Sequence, residues 1–200
     1  LSKETFSKCS ILYDFCRSVD DIVDGDETLD VRKKKFLEFK SNFIKKNLSK
    51  NVIKNIHELL ERENISKKIV GDLFDGIESD LKSAVIISNK KDLLIYSYRV
   101  AGTVGLMMAK ILKVNDVYAL KGAIDLGIAM QLTNIARDVV EDKKRNRSYV
   151  KHDLSSIKEI IKLADTFYKS SFEPIKYIPV ISRFSIIVAR RVYKKIGDNV

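Results

Sequence analysis

Apolar residues recur at spacings of three and four along almost the whole of this chain, and little interrupts them. Pro174, Pro179 and eight glycines are the only strong breakers in 200 residues. From residue 4 to residue 24 the apolar positions Phe6, Cys9, Leu12, Phe15, Cys16, Val19 and Val23 fall on one side of a helix. The same period predicts further helices over 29–46, 51–63, 66–87, 92–112, 116–141, 155–177 and 179–196, with "KKRNRSYV" as a basic loop. "SAVIIS" and "YIPVIS" have strand-like composition, but each continues a helical pattern. No alternation of period two persists and no internal repeat is evident. The expected fold is therefore all-α, one domain over 1–200 with helices packed around a central space.

Composition narrows the class. Apolar residues make up 45% and charged residues 32%, ordinary for a globular chain. The most apolar stretch, "VAGTVGLMMAKIL", is cut by Lys110, so no spanning helix is expected. No signal-peptide layout is present, and the sequence starts at Leu1 rather than Met. Cys9 and Cys16 are seven apart, about 10 Å along a helix, too far for a disulfide. A reduced, cytoplasmic chain is expected. His57 and His152 lack zinc-ligand spacing and read as surface residues. Net charge is 37 − 27 = +10, which fits either a solvated lysine-rich surface or attraction to an anionic partner. Dispersed basic residues without a stacking-aromatic motif argue against nucleic acid.

Against that basic background "CRSVDDIVDGDET" is an acidic island. Asp20 and Asp24 lie four apart, on one helix face about 6 Å apart along the axis, with Asp21 beside them. Like charges so placed disfavour a helix by about 0.2–0.5 kcal/mol unless something compensates. A calcium loop is excluded, because its third and twelfth positions would be Ile22 and Val31. A second cluster, "NIARDVVEDKKRNR", repeats the spacing with Asp138 and Asp142 and places Glu141 beside them. Asn134 lies one turn before Asp138, and Gln131 lies three residues earlier. Arg17 accompanies the first pair, Arg137 and Arg145 the second. Each cluster alone reads as a solvated helix end with surface ion pairs. Two matched clusters facing one another would suit a hard divalent cation such as Mg²⁺, which keeps part of its water and bridges to phosphates.

The chain resembles the phytoene/squalene synthase family, which joins two prenyl diphosphates head to head. The resemblance rests on "LSKETFSKCSILYDFCRSVDDIVD", "LFDGIESDL", "YSYRVAGTVGLMM", "QLTNIARDVVEDKKRNRSY" and "VARRVYKKIGDNV", in the family's order. It implies an isoprenoid-synthase fold around a substrate cavity. It further implies that Asp20, Asp24, Asp138 and Asp142, assisted by Asn134, bind Mg²⁺, or Mn²⁺ in its place. By the same resemblance Tyr13, Arg17 and Arg137 line the diphosphate site, Tyr96 lies near the reacting carbons, and Asp80 faces the cavity. Val100, Ala101, Val104, Gly105 and Gln131 would line the prenyl tunnel. By the resemblance the small residues Ala101, Gly102 and Gly105 would let a substrate chain come close, whereas the residues alone favour simple tight helix packing.

The chain departs from the family pattern at both ends and at one connection. The family's Ser-rich first segment and its C-terminal end have no counterpart here, and the link from Tyr149 to Ile157 is short. Within the enzymes, "DDIVD" also fits a terpene cyclase or chain-elongating prenyltransferase, but the second cluster and "YRVAGTVG" argue against both. A non-catalytic assembly factor of the same fold is the alternative of another class, and retention of all four aspartates argues against it. Segments such as "QLTNIARDV" look most like bacterial phytoene synthase, which implies two geranylgeranyl diphosphates as substrates and no NADPH. Squalene or dehydrosqualene synthesis from farnesyl diphosphate is the runner-up. A long hydrocarbon product and a basic surface imply peripheral attachment to a membrane. Oligomeric state is not legible.

Overall fold

The computed structural model describes residues 2–200. Ser2 starts the first helix by accepting a hydrogen bond from the Thr5 amide at 3.1 Å, satisfying one of the amides left unpaired at a helix start. That helix, α1 (Lys3–Asp24), buries Leu12, Phe15, Val19 and Val23, the stripe predicted from the spacing. The stripe packs against α2 (Leu29–Ile44), α3 (Asn51–Arg62) and α4 (Lys67–Glu78). Phe74 is the hub, with its ring centroid 5.3 Å from Phe43, 6.0 Å from Phe15, 6.0 Å from Phe36 and 6.3 Å from Phe39. Tilted and edge contacts of this kind add about 0.5–1.5 kcal/mol per pair beyond the burial itself. His57 is not on the surface as expected. It is buried in this core, with Nε2 2.9 Å from the Phe43 carbonyl and its ring stacked on Phe43 at 4.6 Å.

The helix expected over 66–87 stops at Glu78. Ser79 closes it by donating from Oγ to the Gly76 carbonyl at 2.5 Å. Beyond the turn, the β-branched run takes over. Val85–Ile86 forms β1, paired in parallel with β2 (Arg147–Ser148), which lies inside the segment expected to be a plain loop. Next come α5 (Lys90–Ser97), a π-helical turn (Tyr98–Gly102) and α6 (Thr103–Ile111), which run on as one rod. The helix expected over 116–141 divides at Asp138 (φ −98°, ψ 14°) into α7 (Val117–Arg137) and α8 (Val139–Lys144). The next one ends early as well: α9 (Leu154–Ser170) gives way to a 3₁₀ turn (Glu173–Tyr177) with Pro174 near its start. Last is α10 (Val180–Asp198).

Helix α7 is the axis of the second half, packed on α9, α6, the π-helical turn and α10. Ala101 and Gly105 on the rod face Ala123 and Gly127 on α7, small residues spaced four apart on both sides. A Cβ on Gly105 would strike the Ala123 carbonyl, and one on Gly127 would strike the Ala101 carbonyl. Backbone meets backbone there, so the lack of side chain at Gly105 serves helix packing directly. The fold is all-α, one domain apart from a two-stranded ribbon. Among the described residues no helix is long and apolar enough to cross a membrane.

Candidate active site

Two adjoining chambers open between α1, α4, the rod and α7. The larger, about 540 Å³, is lined almost wholly by apolar and small side chains. The smaller, about 300 Å³, gathers five carboxylates: Asp20 and Asp24 from α1, Asp80 after α4, Asp138 at the end of α7 and Asp142 in α8. Asp20, Ile77, Val100, Gln131 and Asn134 line both. The acidic clusters, over a hundred residues apart in sequence, thus face one chamber, because α1 and α7 bring their ends to the same place.

Most of the site residues named from the resemblance fall on these walls, including all five assigned to the tunnel; Tyr13, assigned to the diphosphate site, falls on the apolar wall instead. Tyr13, Val100, Ala101, Val104, Gly105 and Gln131 line the apolar chamber, and Tyr96, Asp80 and the four metal-type aspartates line the acidic one. Arg17 and Arg137 do not reach either wall. Arg17 pairs along its helix with Asp21 at 3.0 Å, and Arg137 grips both Asp138 oxygens at 2.6 Å. The chamber's cation is instead Arg147, buried on β2 and 2.8 Å from Asp24. Arg145 reaches the same carboxylate at 3.1 Å, so the second cluster's loop is tied to the first cluster's aspartate.

Tyr149, two residues after Arg147, emerges on the same side of the extended segment. Its hydroxyl donates to Asp80 at 2.7 Å, while Tyr96 donates to the other Asp80 oxygen at 2.8 Å. The two rings stack at 4.7 Å. Arg147 and Tyr149 carried no assigned role in the sequence. Their signal was an alternation of only three residues, too short to stand out in a segment otherwise rich in solvated lysine and arginine.

Burial sets the electrostatics. It pushes the Asp20 carboxyl up to about 6, with Asp24 adding to the shift and Arg17 opposing it. Asp142 is likewise pushed to about 6 by burial, against Arg147 and with Asp138. Asp80 is also raised by burial, although its two tyrosine hydrogen bonds and Arg147 pull the other way. Burial works against the charge on Arg147, but Tyr149, Asp80 and Asp24 outweigh it and hold its pKa above the ordinary value. Tyr96 and Tyr149 stay protonated far above neutral pH, chiefly through burial.

A raised carboxylate pKa favours the folded chain fully below the unfolded value, near 3.8, and that contribution is lost as pH rises through about 6. Asp20 and Asp142 should therefore make the metal-free chain melt lower at pH 7 than at pH 5. Thermal melts across that window test this, and the Asp20→Asn/Asp142→Asn double variant should flatten the slope. An unchanged slope in the double variant would contradict the assignment.

The donor set fits a hard cation. Asn134 Oδ1 is buried at the junction of the chambers and accepts no hydrogen bond from a described residue. The aspartates around it supply oxygen only, as Mg²⁺ prefers. Among the described residues no three His, Cys, Asp or Glu side chains converge tightly enough to hold an ion alone. A cation here would complete its shell with ligand oxygen or water.

Comparison with known proteins agrees with this geometry. The family model described as squalene/phytoene synthase matches residues 2–155. The 15-cis-phytoene synthase of Pantoea ananas is 32% identical in an alignment that covers 95% of this chain and 72% of that relative. A second 15-cis-phytoene synthase, from Enterobacter agglomerans, is 38% identical over 54% of this chain and 44% of its own length. Among solved structures, a dehydrosqualene synthase superposes with a TM-score of 0.74 at 25% identity, covering 98% of this chain and 76% of that one. A squalene synthase from Alicyclobacillus acidocaldarius superposes at 0.84 over the whole of this chain and 84% of that one; at 16% identity it speaks for the fold alone. The chain belongs to the squalene/phytoene synthase family.

Proposed function

We propose that this protein condenses two molecules of geranylgeranyl diphosphate head to head, giving phytoene through a cyclopropyl diphosphate intermediate. The observation that carries the proposal is the joining of a five-carboxylate chamber to an apolar one. Bound Mg²⁺, held by Asp20, Asp24, Asp138 and Asp142 with Asn134, would neutralise the diphosphate so that it can leave. Arg147 and Arg145, already beside Asp24, are placed to add positive charge to the same group. The C1–O bond then breaks with its electron pair on the diphosphate, leaving an allylic cation. Ile77, Val100 and Val104 on the chamber wall keep water from it. The double bond of the second substrate attacks, and loss of a proton closes the cyclopropane. A second ionisation, rearrangement and proton loss give the hydrocarbon without any reductant. Tyr96 and Tyr149, fixed on Asp80, present neutral hydroxyls to this chamber.

The apolar chamber is long enough for the longer substrate. On α7 the lining residues run from Asn134 back to Ala119, about 22 Å of helix. The relatives named phytoene synthase support the same choice. A long hydrocarbon product and the +10 charge support a peripheral membrane location.

The test is to offer purified protein Mg²⁺ and both labelled diphosphates together. A forty-carbon hydrocarbon in excess is expected. A thirty-carbon product as the main species would overturn the chain-length assignment, and no hydrocarbon from either substrate would overturn the activity.

A further inference from the structure

Asp24 is the one metal-type aspartate held by the opposite cluster's loop. Its Oδ1 takes two guanidinium groups at once, Arg145 Nη1 at 3.1 Å and Arg147 Nη1 at 2.8 Å. Asp138 is held only by its neighbour Arg137, and Asp20 and Asp142 enter no ion pair among the described residues. Within the first cluster, Asp24 is taken and Asp20 is not. A carboxylate oxygen that already faces two cations has little left to offer a third, and a divalent ion set against it would meet both guanidinium charges. The described aspartates accordingly do not converge into a group that could hold an ion alone.

The grip has a rigid support. Asn146, between the two arginines, takes the left-handed conformation (φ 57°), which asparagine adopts more readily than most residues. With the chain turned there, the two side chains converge on one oxygen. The ribbon fixes this turn from behind: the Val85 amide donates to the Asn146 carbonyl at 3.0 Å, and the Ile87 amide to the Ser148 carbonyl at 2.9 Å. The Arg145 amide in turn donates to the Asp142 carbonyl at 3.0 Å, so one turn carries a metal-type aspartate and one arm of the grip. Arg147 is buried, while the Arg145 side chain is 40% exposed and also reaches Glu141 at 3.4 Å. Arg145 can thus leave Asp24 without losing every carboxylate partner. Both arginines suit diphosphate, whose oxygens match the guanidinium fork.

We propose that Arg145 and Arg147 form a latch on Asp24, released when diphosphate draws the guanidinium groups away, so that metal alone binds poorly and metal and diphosphate bind as a coupled pair. The arginines are positioning residues in this role, because they act on the metal through Asp24. The latch rests on the metal and diphosphate site proposed above and adds an order to its filling. Such coupling is reciprocal: the factor by which diphosphate tightens metal binding is the factor by which metal tightens diphosphate binding.

Mn²⁺ serves as the probe, since its free form is counted by electron paramagnetic resonance with no substrate and no turnover. Arg145→Gln should bind Mn²⁺ alone about fivefold more tightly than the parent, the scale of a partly exposed ion pair. Arg145→Lys should stay near the parent. Lys144→Gln removes the same charge one residue away, on an exposed side chain that makes no contact with Asp24, and should gain much less. Thermal melts give a second readout. In the parent, Mg²⁺ and inorganic diphosphate together should raise the melting temperature by more than the sum of their separate rises, and Arg145→Gln should cut that excess.

Equal Mn²⁺ affinity in the parent and Arg145→Gln would overturn the latch. So would an equal gain in Lys144→Gln, which would assign the effect to the general field of the loop. No Mn²⁺ binding to any form, with or without diphosphate, would overturn the metal site itself and the latch with it, so the two failures are distinguishable.

Discussion

Asp142→Asn is expected to lower kcat/KM by about 10³-fold or more while leaving the helical content unchanged, a loss of about 4 kcal/mol of transition-state stabilisation. Asp142 lines the carboxylate chamber, and burial already holds its pKa near 6, so its charge is costly until a cation sits against it. An amide of the same shape removes the charge and keeps the packing. The variant should accordingly melt no lower than the parent at pH 7 in the absence of metal. Asp75→Asn is the control. Asp75 lies on α4 outside both chambers, 3.6 Å from Lys40, and its loss should leave turnover intact. Steady-state kinetics with saturating Mg²⁺ separates the two. A tenfold loss or less in Asp142→Asn would remove that residue from the metal role.

Gly127→Ala is expected to destabilise the fold by about 3 kcal/mol, the upper range for overpacking, or to prevent accumulation of folded protein. The added methyl would meet the Ala101 carbonyl oxygen and lie 2.8 Å from its carbon and 3.0 Å from the Gly102 Cα. All three are backbone atoms in the π-helical turn, so no side chain can swing away. The rod would have to move off α7, which would widen the tunnel wall and shift Val100. Gly71→Ala supplies the contrast. Gly71 lies inside α4, nothing comes within 4 Å of its added Cβ, and the exchange should stabilise by about 0.5–1 kcal/mol. Chemical denaturation of both variants measures the difference. Equal stability of Gly127→Ala and the parent would contradict the close approach of the two backbones.

The helices were legible because their packing is simple. The period of Leu12, Phe15, Val19 and Val23 is carried by one buried stripe, and long periodic segments override local exceptions. The failures have local causes. Val85–Ile86 is a strand of two residues, and only its partner at Arg147–Ser148, over sixty residues later, makes it one. At Asp138 the break costs no hydrophobic pattern, since Ile135 and Val139 are buried on either side of it. His57 was misplaced because a polar ring can be buried wherever a carbonyl such as that of Phe43 meets it.

In the site, the two aspartate pairs were visible as repeated spacing, and the chamber does gather both. What spacing could not convey is which cations complete it. Arg17 and Arg137 are the arginines nearest in sequence, yet Arg17 turns onto Asp21 outside the chamber and Arg137 meets the chamber only through the Asp138 carboxylate. Arg147 reaches the interior because the parallel ribbon carries its segment back across the chamber. Gly105 showed a similar ambiguity, since substrate contact and helix contact both call for a small residue.

The central claim is that the α1 and α7–α8 carboxylates act as one clamp for metal and diphosphate. Calorimetric titration of inorganic diphosphate into the full chain, with and without Mg²⁺, tests it most directly when repeated on Asp20→Asn and on Asp138→Asn. Saturable binding that requires Mg²⁺ and is lost in either variant is the predicted result. Binding that ignores Mg²⁺, or that survives the loss of one cluster undiminished, would contradict the clamp.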